Sequence, residues 1–163
     1  MSRRSRFILI TGIASMPALF LPAGREACAQ QINLVNTRGI DFGRFVAGTG
    51  GTVVLSPTGA RTRTGGVILL TSPSAGPATF NVSRSSNGGS NKAVIISLPA
   101  NGSIRLTSGS NSMAVNAFNN SPATLTTVSV AGTALSVGAT LTVAANQPAG
   151  AYSGSFPLIV NFQ

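Results

Sequence analysis

Histidine and tryptophan are absent from this 163-residue chain, which holds a single cysteine, a single tyrosine and only 2 acidic residues against 11 basic ones. Those gaps remove most enzyme chemistry. General acid–base catalysis needs a group that titrates near the working pH, and an activated nucleophile needs a base beside it. The acids are Glu26 and Asp41, the cysteine is Cys28, and lysine occurs once, as Lys92. Serine and threonine are plentiful, but no imidazole is present to activate them. A non-enzymatic protein is therefore expected, with no catalytic residue and no cofactor. No metal site is expected either, since tightly bound transition metals take His or Cys and calcium takes several carboxylates. Asp41 falls within a strand pattern, where an edge or capping role suits it. The clusters Gly48-Thr49-Gly50-Gly51 and Gly65-Gly66 lack the lysine and helix of a phosphate loop and read as turns.

The N-terminus is organised differently from the rest. Met1-Ser2-Arg3-Arg4-Ser5-Arg6 precedes an apolar stretch from Phe7 to Leu21, then Pro22 and the triplet Ala27-Cys28-Ala29. A basic flank, a short apolar centre and small residues at the exit describe a secretory signal peptide over residues 1–29, with Ala27 and Ala29 marking the cleavage site. The apolar stretch contains Gly12 and Pro17 and falls short of the ~20 residues a membrane span needs. Arg3-Arg4 forms a twin-arginine pair, but Arg6 stands where such an export signal wants an apolar residue. Cleavage would discard Cys28 and leave Gln30 to Gln163, one domain held together by packing and strand pairing without disulfides. It would also take four of the 11 bases and one of the 2 acids, leaving seven and one, a net charge of +6. That sign favours anionic neighbours such as surface polysaccharide. The bases are scattered, and the aromatics fall at core-like positions, so nucleic-acid binding is not expected.

What the remaining chain has in abundance is Thr, Val, Ser and Gly. No stretch sustains a helical period, and these residues favour strands. Candidate strands run over 31–36, 39–47, 52–56, 66–71, 78–83, 92–98, 103–107, 112–118, 124–130, 133–137, 140–143 and 152–162. Turn signals lie between them, including Pro57-Thr58-Gly59, Asn87-Gly88-Gly89, Asn101-Gly102 and Pro148-Ala149-Gly150. Many short strands with frequent turns predict an all-β, antiparallel, immunoglobulin-like β-sandwich, with a barrel as the second choice. The apolar run around Val94, Ile95, Ile96 and Leu98 predicts a central strand covered on both faces. Ile40 and Phe42 share one parity and Phe45 the other, so a bulge near Gly43 would return Phe45 to the same face.

The C-terminal segment carries the clearest pattern. Tyr152, Gly154, Phe156, Leu158, Val160 and Phe162 alternate with mostly small or polar residues, which gives an extended chain a wet side and a dry side. The dry side must be covered, either from within the chain or by another one. Pro157 lies on the wet parity and lacks an N–H, which restricts the edge that can pair.

Counting back from the end, Phe162 is the second residue and Gly150 the fourteenth, and in this the terminal strand resembles that of chaperone–usher pilus subunits. Ile40-Asp41-Phe42-Gly43-Arg44-Phe45, the Thr52 to Gly66 segment and Ala149-Gly150-Ala151-Tyr152-Ser153-Gly154 are similar to a family of small secreted bacterial proteins known only as a domain of unknown function. The resemblance implies a pilin-like β-sandwich exported through the periplasm to the cell surface or a fimbrium. It implies assembly by β-strand addition, with a periplasmic chaperone and then like subunits as partners. The interaction strand would comprise Gly150, Tyr152, Gly154, Phe156, Leu158, Val160 and Phe162. Ile32 and Leu34 would be the anchors of an N-terminal donor arm, or else simply open the first strand of a complete sandwich. The alternative expectation is a monomeric secreted module that binds anionic surface glycan through its basic loops.

Overall fold

The structure, a computed structural model, describes residues 31–86 and 93–163. The expected signal peptide with Ala27, Cys28 and Ala29, the turn at Asn87-Gly88-Gly89 and Lys92 lie outside the described residues. The described residues form eleven strands, in chain order β1 (Ile32–Arg38), β2 (Phe45–Val46), β3 (Gly51–Leu55), β4 (Arg61–Gly65), β5 (Ile68–Leu69), β6 (Ala78–Arg84), β7 (Val94–Ser97), β8 (Ile104–Ser108), β9 (Asn111–Ser121), β10 (Thr133–Val143) and β11 (Ile159–Phe162). All ladders are antiparallel, and no helix occurs among the described residues. The architecture is all-β, with a curled, sandwich-like arrangement.

β10 organises the larger sheet. Its alternation buries Leu135, Val137, Ala139, Leu141 and Val143 and turns Thr140 and Thr142 outward. One edge pairs with β9, while the other is shared end to end, by β6 over Thr133–Val137 and by β3 over Ala139–Val143. The sheet therefore forks at Gly138, β1 continuing the β6 branch and β4 the β3 branch, with β8 beyond β9. Two apolar clusters follow the fork. The first gathers Phe42, Val53, Leu55, Val67, Met113, Val115 and Leu141, and the second gathers Phe80, Val82, Val94, Leu125, Val128 and Leu135. Over these clusters lie two small sheets, β2–β5 and β7–β11, joined by extended and looped chain.

Several sequence expectations change in detail. The strand expected over 124–130 is a loop with one bridge, Val94 to Leu125, because Leu125 and Val128 enter the core three residues apart and a strand would need two. The stretches expected at 133–137 and 140–143 form one continuous strand through Gly138. β4 was not expected at all: Arg61-Thr62-Arg63-Thr64-Gly65 has no bulky apolar residue, and it is an edge strand closing a hairpin with β3 through the Pro57-Thr58-Gly59 turn. β7 is not covered on both faces, since its two-stranded sheet rests one side on the second cluster and leaves Ile95 52% exposed. Gly43 takes φ +73°, and Phe42 and Phe45 both pack on the first cluster.

Candidate functional site

The dry side of the C-terminal segment faces the protein's own interior. Tyr152, Phe156, Leu158, Val160 and Phe162 are half-buried, and the residues between them are exposed. The segment passes from one cluster to the other: Tyr152 packs on the first, Phe156 to Phe162 on the second. Phe156 sits against Phe118, with ring centroids 5.1 Å apart, and edge-on to Phe80 at 6.3 Å. Only its last four residues form a ladder, β11 on β7, whereas the expected strand began at Tyr152.

The upstream half is held in other ways. The Tyr152 hydroxyl donates to the Pro148 carbonyl at 2.8 Å and accepts from the Gln147 amide at 2.9 Å, which fixes the turn into the segment. A Cβ at Gly150 would lie 2.6 Å from the Ser108 hydroxyl, and one at Gly154 would lie 2.6 Å from the Arg105 carbonyl. Both glycines thus let the chain approach β8 closely. Ser153 exchanges two backbone hydrogen bonds with Thr107, at 2.8 and 3.0 Å. Because successive peptides of an extended chain point to opposite edges, Tyr152 and Gly154 direct their N–H and C=O groups away from β8. Among the described residues those groups have no backbone partner.

That free edge borders a cleft of about 720 Å³, and Gly150, Tyr152 and Gly154 line it. Its other wall is the segment from Ile40 to Ala47, and Phe42, Leu106, Met113 and Leu141 contribute its apolar surface. The far wall is tied down on its outer side: Asp41 exchanges backbone hydrogen bonds with Gly76, both 2.9 Å, and its carboxylate accepts from the Gly43 N–H at 2.7 Å. Arg61 clasps the two layers, donating to the carbonyls of Phe42 and Leu70. Arg38 donates to the Ser74 carbonyl, and the Arg44 guanidinium makes no hydrogen bond among the described residues.

Beyond the cleft the same line continues as a seam. Among the described residues β11 pairs only with β7 and β1 only with β6, yet β1 and β11 come within 8 Å of each other at their Cα atoms. Ile32 and Leu34 do not extend from the domain; they lie in β1 and pack on the second cluster beside Phe156 to Phe162. The sequence pointed to the terminal segment but not to its opposite wall. Ile40 to Ala47 lies more than 100 positions away, and periodicity carries no information on which distant segments become neighbours.

A family model, a domain of unknown function named DUF4402, matches residues 32–162, from the first residue of β1 to the last of β11. The chain belongs to the DUF4402 family. No curated protein and no solved structure matches it. In this DUF4402 domain the described residues contain no group of three or more His, Cys, Asp or Glu side chains able to hold a metal ion. No helix among them is long and apolar enough to cross a membrane.

Proposed function

We propose that the protein is a non-enzymatic, exported surface or fimbria-like subunit that accepts a β-strand from another chain between its first and last segments. The observation that carries this reading is the cleft: an apolar trough bordered by unpaired backbone at Tyr152 and Gly154. Strand addition uses these two features together, main-chain hydrogen bonds supplying affinity and side-chain pockets supplying choice of partner. A periplasmic chaperone is the first occupant in this reading, and a like subunit replaces it.

Burying four or five large side chains in the trough would contribute on the order of 6–15 kcal/mol before entropy costs. Between Ile40–Ala47 and Tyr152–Gly154 the trough is already open. Along the β1–β11 seam, where Cα atoms approach within 8 Å, an inserted strand needs two inter-strand spacings, about 9.6 Å, so the seam widens as the strand enters. With Ile32 and Leu34 held in β1, a donor from a like subunit is a β1 released from β6. The test is the migration of purified native protein on a denaturing gel without boiling. A ladder of multimers that collapses on boiling is expected, and a single monomer band at all concentrations would count against strand exchange.

A further inference from the structure

The small β2–β5 sheet has two different faces. Phe45 and Leu69 point inward and pack on the first cluster. Their neighbours point outward: Val46 lies directly opposite Ile68, and Arg44 lies opposite Leu70, whose N–H donates to the Arg44 carbonyl at 2.9 Å. Val46 is 48%, Ile68 54% and Leu70 39% exposed. Three aliphatic side chains and one unpaired guanidinium thus share a solvent-facing patch.

The turns that flank the patch carry no charge of their own. No ionisable side chain occurs from Phe45 to Ala60 or from Thr64 to Ser83, so the adjoining glycine-rich turns at Gly48–Gly51 and Gly65–Gly66 are neutral. Those two turns meet, the Gly66 N–H donating to the Gly50 carbonyl at 2.7 Å. Asp41, the one carboxylate side chain among the described residues, stands in the adjoining cleft wall, where it accepts from the Gly43 N–H. Arg61 and Arg63, on the neighbouring edge strand β4, keep the field positive. Aliphatic groups that can enter an apolar layer, neutral turns that oppose no entry, and a cation without a partner fit one occupant, a bilayer surface with anionic headgroups.

We propose that the outer face of β2–β5 docks the protein on an anionic lipid surface, with Val46, Ile68 and Leu70 entering the interface and Arg44 meeting the headgroups. This does not rest on strand addition, although the two surfaces adjoin, since Arg44, Val46 and Leu70 also border the cleft. An anionic glycan would explain Arg44 but not the three aliphatic residues. A second copy of the chain would explain the aliphatic residues but would place two Arg44 patches of like charge face to face.

Flotation of the full chain with vesicles tests it. Binding to phosphatidylglycerol–phosphatidylethanolamine vesicles, absent with phosphatidylcholine and weakened by added salt, is the expected result. Val46→Ser with Ile68→Ser should lower partitioning about tenfold, from the apolar area withdrawn. Arg44→Gln should lower it about fivefold and flatten the salt dependence. Both sites are exposed, so circular dichroism and the melting midpoint should stay as in the parent. No binding to the anionic vesicles, or binding unchanged in the double variant, overturns the proposal. So does sedimentation showing a dimer of the parent that the double variant abolishes, which would assign the face to a second copy.

Discussion

Ala117 holds a left-handed backbone, φ +47°, that L-residues with a Cβ avoid. It sits where β9 carries one residue more than β10: Asn119 pairs with Gly138 and Asn116 with Thr140. The extra residue resets parity, so that Phe118 enters the core after Met113 and Val115 although it stands on the other parity. Two asparagines hold the bulge, Asn101 accepting from the Ala117 N–H and Asn116 from the Gly102 N–H, both at 2.7 Å. Glycine adopts this conformation without the Cβ clash, at some cost in unfolded-state entropy. Ala117→Gly is therefore expected to stabilise by about 0.5–1 kcal/mol, seen as a higher urea midpoint. Gly138 sits at the fork for a different reason. A Cβ there would strike the Leu55 carbonyl and lie 2.7 Å from the Pro57 nitrogen. These are backbone atoms, which cannot step aside as a flexible side chain can. Gly138→Ala should cost about 3 kcal/mol, with the loss read from the same titration.

At the scale of elements, the sequence was most informative where burial and periodicity coincide. β6 and β8 were legible because Phe80 and Val82, or Ile104 and Leu106, alternate with polar residues, and β3 because the β-branched run Thr52-Val53-Val54 ends at the Pro57-Thr58-Gly59 turn. β4 was illegible because an edge strand can satisfy its ladder with arginine and threonine alone. In the terminal segment the face was legible from Tyr152 to Phe162, but the pairing was not. Pro157 offers no N–H and Gly154 is pressed onto β8, so the ladder with β7 begins only at Ile159. The segment is instead anchored by aromatic contact. Phe156 meets two rings, and truncating it removes both contacts and leaves a void between the clusters. Because the side chain is only half-buried, Phe156→Ala should destabilise by about 2–3 kcal/mol, below the range for a fully enclosed phenylalanine. Ile159→Ser is the matched control in the same segment. Ile159 is 53% exposed, and its loss should stay within about 0.5 kcal/mol. Equal effects of the two substitutions on the thermal midpoint would mean that Phe156 does not anchor the segment.

At the scale of the whole molecule, the fork at β10 raises the question of how two clusters behave as one body. β10 itself spans both, burying Leu135 and Val137 in one and Leu141 and Val143 in the other. Two side chains also join them: Ile40 and Phe118 each pack against both clusters. Ile40 lies in the segment that walls the cleft, and Phe118 follows the bulge at Ala117. Cooperativity thus depends on the same non-local contacts that shape the candidate site, and those contacts could not be read from periodicity. A chain this size with a continuous core should unfold in a single transition whose denaturant slope reflects all the surface exposed. Removing Phe118 takes away a shared contact while leaving both clusters otherwise intact, so it should weaken their coupling as well as their stability. Phe118→Ala is expected to lower the urea midpoint and to reduce the apparent slope, with fluorescence of Tyr152, on the first cluster, and far-ultraviolet dichroism no longer coinciding. Gly138→Ala, which strains the strand shared by both clusters, should lower the midpoint with the slope unchanged. If Phe118→Ala also keeps the slope and the coincidence of the two probes, β10 alone couples the clusters and the aromatic bridge contributes only stability.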